Sequence, residues 1–162
     1  MNDVLHWETG DVNRILNEMQ KWGREKSPSE FHQYAVLYAR LPNDEYFLRY
    51  AECQSRWFDV KQDKIYTVHA EALLVGNPKR PRDALKVSFD DSELGKLINN
   101  NGCIPDSVLI YSNHEPCKWC KKAITQSKHH FNLTENIIVG YRIGRNDVKG
   151  SLGDGVEYRH LE

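Results

Sequence analysis

Two short stretches hold the side chains best suited to chemistry: His69-Ala70-Glu71 and Pro116-Cys117-Lys118-Trp119-Cys120. One imidazole and two thiols are the ligand types of zinc. Three protein ligands leave a fourth tetrahedral position open, which separates a catalytic zinc from a closed structural one. The expected metal set is therefore His69, Cys117 and Cys120 holding Zn2+. Glu71 has no ligand duty in that set and is free to move protons as a general acid and base. Neither stretch is decisive alone. A single CxxC is equally half a zinc site, a redox pair or an accident. Their order, each at the start of a helical pattern, is what joins them.

Elements of two kinds must position these groups. Val12, Ile15, Leu16, Met19 and Trp22 recur at helical spacing over 12–22. Gln33 to Leu41 is rich in aromatic and β-branched residues and reads as a strand. Pro42-Asn43-Asp44 reads as a turn, and Glu45 to Glu52 as the returning strand. His69 to Val75 reads as a short apolar helix stopped by Gly76-Asn77-Pro78. Asp106 to Tyr111 reads as a buried strand, and Asn113 and His114 as the loop entering the metal helix. Pro116 suits the first helical position because no N–H is needed there, and that helix runs to about His130. Asn136 to Tyr141 is a further strand. Strands alternating with helices predict an α/β layered fold. Cys117 and Cys120, at i and i+3, share a helix face, and free N–H groups in the first turn favour thiolates. His69 and Glu71, two apart, would diverge on a regular helix, so only a metal and water lying across the helix terminus could engage both.

Composition narrows the setting. The 162 residues carry 22 basic and 23 acidic side chains, a net charge of −1, so the chain is no generic polyanion binder. Local charge is less even. Lys118, Lys121, Lys122 and Lys128 lie between Pro116 and Leu133 without an acid among them, Lys79, Arg80 and Arg82 form a second cluster, and Arg142 and Arg145 a third. Each is equally readable as a solvated face. Four cysteines, two of them in the CxxC, make no disulfide scaffold, which fits a cytoplasmic or nuclear setting. No secretory leader and no membrane-spanning apolar run is evident. The length suits a single domain over residues 1–162.

HAE and PCxxC together resemble the zinc-dependent cytidine deaminase-like superfamily. QYAVLYARL, EYFLRYAE, LIYSNHEPCKWC and ENIIVGYR further resemble the AID/APOBEC-like polynucleotide cytidine deaminases, over about residues 12–142. The resemblance implies a three-layer α/β/α fold with a mixed central sheet. It implies hydrolytic conversion of cytosine to uracil in single-stranded DNA or RNA, with Glu71 passing protons between water and base. It also implies substrate contacts from the loop after the 136–141 strand. Tyr141 would stack on a base, while Arg142 and Arg145 meet flanking phosphates. Trp119, Asn113 and His114 are the other expected substrate contacts. The chain departs from the family pattern at His114-Glu115, where Trp-Ser is usual, and in the 48-residue separation of His69 and Cys117. The extra segment, about 79–105, is expected to be an insertion at the edge of the core.

Two further readings stay open. A deaminase of free nucleosides or nucleotides, or a toxin-type DNA deaminase, would suit an antiparallel hairpin pairing of Val156 to His160. The glycine-rich stretch ahead of that strand is a poor helix and a poor parallel crossover; the other reading of the ending is a chain cut short. A non-catalytic zinc module would close the site with a fourth protein ligand such as His114 and leave Glu71 idle.

Overall fold

The computed structural model describes residues 11–27, 29, 32–59, 61, 64–79, 86–144 and 155–161. In chain order the elements are α1 (Val12–Lys26), β1 (Tyr34–Arg40), β2 (Tyr46–Glu52), β3 (Gln54–Asp59), β4 (Lys64–Val68), α2 (Ala70–Val75), α3 (Glu93–Asn101), β5 (Ser107–His114), α4 (Lys118–His130), β6 (Ile137–Ile143) and β7 (Val156–His160). Five strands form one sheet in the order β2-β1-β5-β6-β7, and β3 and β4 form a separate hairpin. β1 is antiparallel to both β2 and β5, whereas β5–β6 and β6–β7 are parallel. The expected mixed sheet flanked by helices is what the chain forms.

Alternation along β1 assigns the two faces. Tyr34, Val36 and Tyr38 pack with Ile15, Leu16 and Met19 of α1. Ala35, Leu37 and Ala39 pack with α2, α3 and α4 on the other side. Local chemistry sets the helix limits. The Asp11 carboxylate accepts from the Arg14 N–H at 3.0 Å and opens α1. The Ser92 hydroxyl accepts from the Gly95 N–H at 3.1 Å and opens α3. Gly76 closes α2 at φ 90°, in the left-handed region that glycine tolerates.

Four expectations change. β7 is not a hairpin partner: it runs parallel to β6, with Ile137 opposite Val156 and Tyr141 opposite His160. A parallel return needs about a dozen residues of crossover but no particular sequence, and 144–155 provides that length. β5 continues to His114, so Asn113 and His114 end a strand and do not lie on a loop. The helix after Pro116 starts at Lys118 with Cys117 as its cap, which puts Pro116 outside the helix. Finally, the 79–105 segment is not peripheral throughout. Its helix α3 buries Leu94 and Leu97 in the larger core cluster, and Val87 bridges to Asn77. The β3–β4 hairpin was not foreseen, because the residues joining its strands, 60–63, hold no Asn-Gly, Asp-Gly or Gly.

Candidate metal centre

The residues of the expected metal set stand where helices begin. His69 is the N-cap of α2, with φ −73° and ψ 147°, and Cys117 is the N-cap of α4, with φ −67° and ψ 167°. Both cap positions are extended, and neither side chain caps its own helix. Ser, Thr, Asp and Asn are the usual cap residues. Giving both caps to metal-ligand types that do not cap is a departure of the kind found at functional sites. It also resolves the His69–Glu71 geometry. His69 lies outside the helix, so the 100° step between helical residues does not separate it from Glu71.

The two helix starts meet. His69 Nδ1 lies 3.9 Å from Cys117 Sγ and 3.5 Å from Cys120 Sγ, and the three donor atoms lie within 4.8 Å of one another. They form a group able to hold a metal ion. Among the described residues, no fourth His, Cys, Asp or Glu joins that group; His114 is not a member. His114 instead closes β5 opposite Ile143, and its carbonyl accepts from the Ser112 hydroxyl at 2.6 Å.

Glu71 lies in the first turn of α2 with 1% exposure, and neither carboxylate oxygen has a hydrogen bond of normal geometry. Burial raises its pKa; the His69 charge pulls it back down, and the Cys117 charge pushes it up again. A buried carboxylate is costly unless something engages it.

A second polar layer was not foreseen from the sequence. Glu115, 3% exposed, receives a hydrogen bond from Lys121 Nζ at 2.6 Å. The Glu115 N–H donates to the Ile143 carbonyl at 2.7 Å, tying the approach to α4 onto the end of β6. Lys121 also lies 4.6 Å from the ring centroid of Tyr158 on β7. The Tyr158 hydroxyl is buried without a hydrogen-bond partner. Burial raises its pKa first, and the negative charges of Cys120, Glu71 and Glu115 raise it further; Tyr158 packs against the core cluster that contains α2 and α4. No sequence signal marks Tyr158, since its relevance depends on how β7 pairs.

The expected substrate contacts separate. Trp119 lies half-buried between the two cysteines, with Lys118 and Lys122 at 5.2 and 4.8 Å from its ring. Tyr141 stacks on His160 at 5.2 Å, and burial first and then the Glu115 charge raise its pKa. Arg142, next along β6, points to the opposite face and lines a cavity on the α1 side. Tyr141 and Arg142 are thus not brought together. Asn113 borders the same α1-side cavity. Its amide is engaged at both ends, accepting from the Tyr34 N–H at 2.9 Å and donating to the His32 carbonyl at 2.7 Å. Arg145 lies outside the described residues, as do Arg80 and Arg82 of the second cluster. The lysine cluster of α4 also disperses: Lys121 is held by Glu115, and Lys128 donates to the Leu133 carbonyl at 3.1 Å beyond the helix end.

No protein-family model matches this chain, and no curated protein matches it. Among the described residues, no helix is long and apolar enough to cross a membrane.

Proposed function

We propose that this protein is a zinc-dependent hydrolytic deaminase that converts cytosine to uracil in single-stranded DNA or RNA. The observation that carries the proposal is a three-member ligand group with a buried carboxylate interacting with it. With Zn–S near 2.3 Å and Zn–N near 2.0–2.1 Å, tetrahedral geometry requires an N···S separation of about 3.6 Å. The two Nδ1···Sγ distances, 3.9 and 3.5 Å, bracket that value. The donor set and its spacing therefore fit zinc. When bound, zinc supplies Lewis-acid activation of water.

The remaining chemistry falls to the chain itself. The Cys117 and Cys120 thiolates lie at the start of α4, where first-turn N–H groups and the helix dipole favour negative charge. Glu71 accepts a proton from the attacking water and returns protons to the ring nitrogen and the departing amine, so that cytosine and water become uracil and ammonia. Burial suits that role, because a carboxyl with a raised pKa holds and releases a proton near neutrality more readily than an exposed one. Trp119, flanked by two lysines, and Tyr141, stacked on His160, offer aromatic faces of the kind that bases stack on.

Two alternatives lose support. A closed zinc module needs a fourth protein ligand, and none joins the group among the described residues. The hairpin ending that suited a free-nucleoside enzyme is replaced by a parallel β7. The deciding experiment presents the purified, zinc-loaded protein with single-stranded DNA, single-stranded RNA and free cytidine. Uracil formation in a polynucleotide is the expected result. Turnover of cytidine alone would give the free-nucleoside reading its place, and no turnover of any substrate would remove the deaminase reading.

A further inference from the structure

On the α1 side of the sheet, a cavity of about 180 Å3 opens at the carboxyl ends of β5 and β6. Its polar lining is Gln20 and Arg24 from α1, Tyr34 from β1, Tyr111 and Asn113 from β5, and Arg142 from β6. Strand and helix periodicity bring these residues together. Gln20 and Arg24 are one helical turn apart and share a face. Tyr111 and Asn113 alternate onto the same side of β5. Arg142 stands two places after Gly140, and a Cβ at Gly140 would lie 3.1 Å from Leu16 of α1. That face of β6 is therefore the α1 face.

The lining is one-sided in charge. Among the described residues it holds two guanidinium groups and no carboxylate. Arg24 and Arg142 are exposed at the rim, while Tyr111 is fully buried within. The Tyr111 hydroxyl has no hydrogen bond of normal geometry, although the Tyr34 phenol stands beside it. Both arginines act electrostatically on both phenols, opposing the upward shift that burial causes. Two neighbouring phenols beside two guanidinium groups suit a ligand that accepts hydrogen bonds and carries negative charge. Phosphate oxygens meet that need, and guanidinium groups pair with them in a fixed fork. The location agrees, since the crevice outside the carboxyl ends of parallel strands is where open α/β sheets bind ligands.

We infer that this cavity is a phosphate-binding site, built from Arg24, Arg142, Tyr34 and Tyr111, on the opposite face of the sheet from the metal group. Asn113 is its wall: its amide is already bonded and braces the start of β1. The same strand links the two sites, because Cys117 follows Asn113 by four residues, at most about 14 Å of extended chain. A phosphate held here thus lies near a base held at the metal. The inference rests on the proposed function only for the carrier of that phosphate, which is a polynucleotide backbone if the substrate is a polymer.

The test uses the full chain and inorganic phosphate, titrated against chloride at equal ionic strength and followed by phosphorus NMR line width and by thermal shift. Wild type is expected to bind phosphate and gain thermal stability. R24Q/R142Q, altered only at exposed positions, should lose both effects while keeping its circular dichroism. Y111F keeps the ring and removes one donor, so its phosphate Kd should rise about tenfold, the loss of one charge-assisted hydrogen bond. Equal phosphate binding in all three proteins, or none in wild type, would overturn the site. Cytidine 5′-monophosphate and an abasic deoxyribose-phosphate oligomer then separate the carriers. Tighter binding of the oligomer assigns the pocket to a polymer backbone, and tighter binding of the monophosphate assigns it to a free nucleotide. The readout needs no turnover. Phosphate binding without deamination would leave this site standing and sink the deaminase reading, and the reverse result would sink the site alone.

Discussion

Three residue types at two helix starts carry the proposed chemistry, and each can be tested singly. Cys117→Ala removes one of three donors with no fourth among the described residues to replace it, so most of the zinc should be lost, as measured by metal analysis after desalting. Glu71→Gln keeps the shape of the side chain but cannot take a proton. Turnover should fall by about 10²–10⁴-fold, the usual worth of a general acid–base, with zinc content unchanged. The same substitution should raise the stability of the metal-free protein, because a buried neutral amide costs less than a buried charged carboxylate. Near-normal activity in this variant would remove Glu71 from the mechanism. Glu115→Ala acts differently. It strands Lys121 beside Tyr158 in a largely buried position, and breaking such a pair costs about 3 kcal/mol. Urea unfolding should show that loss, and a change under about 0.5 kcal/mol, typical of surface positions, would show that the pair is solvated.

At the scale of elements, α3 connects the segment between the two motifs to the core. It is capped at both ends, by Ser92 and by Gly102 in the left-handed region, and it buries Leu94 and Leu97 against the α2–α4 side of the sheet. Leu94→Ala should destabilise the protein by about 2–5 kcal/mol through lost burial and the cavity left behind. Replacing the whole segment with a short linker should therefore impair folding, even though loop closure itself depends only weakly on length. Chemical denaturation of both variants checks this. A linker variant of wild-type stability would return the helix to the status of an ornament. At α1, Gly23 marks the closest approach of helix to sheet. A Cβ there would lie 2.7 Å from side-chain atoms of both Tyr34 and Val36. α1 can thus lie flat on β1 and bring Arg24 to the cavity mouth.

For the whole molecule, metal and phenols set the response to solution conditions. Metal bound at a site assembled from two distant segments binds the folded state and not the unfolded one, so chelation should lower the melting temperature. Five phenols, Tyr34, Tyr50, Tyr111, Tyr141 and Tyr158, have raised pKa values, with burial the first cause in each; Tyr50 reaches about 12. The unfolded chain loses these protons near pH 10 while the folded chain keeps them. Stability is then unaffected below about pH 10 and falls as pH rises through the folded values, by up to about 1.4 kcal/mol per pH unit for each retained proton. Alkaline denaturation should accompany late phenolate absorbance, and early titration of all eight tyrosines would contradict the burial.

The His69, Glu71, Cys117 and Cys120 set was legible in the sequence, because ligand chemistry depends on residue type and these types are few. The helix and strand rhythm around it was legible as well, since Ile15, Leu16 and Met19 or Val108, Leu109 and Ile110 declare their periods locally. Tertiary structure decided what lies between segments distant in sequence. Pairing made β7 parallel and set Tyr158 on the α2–α4 side of the sheet. Strand alternation sent Tyr141 and Arg142 to opposite faces, although they are adjacent in the chain. The α1 side of the sheet gathered Arg24, Tyr111 and Arg142 into one cavity, and α3 became core where its mixed composition suggested an insertion. Local sequence encodes which face each side chain takes, but only the order and direction of the strands determine what that face meets.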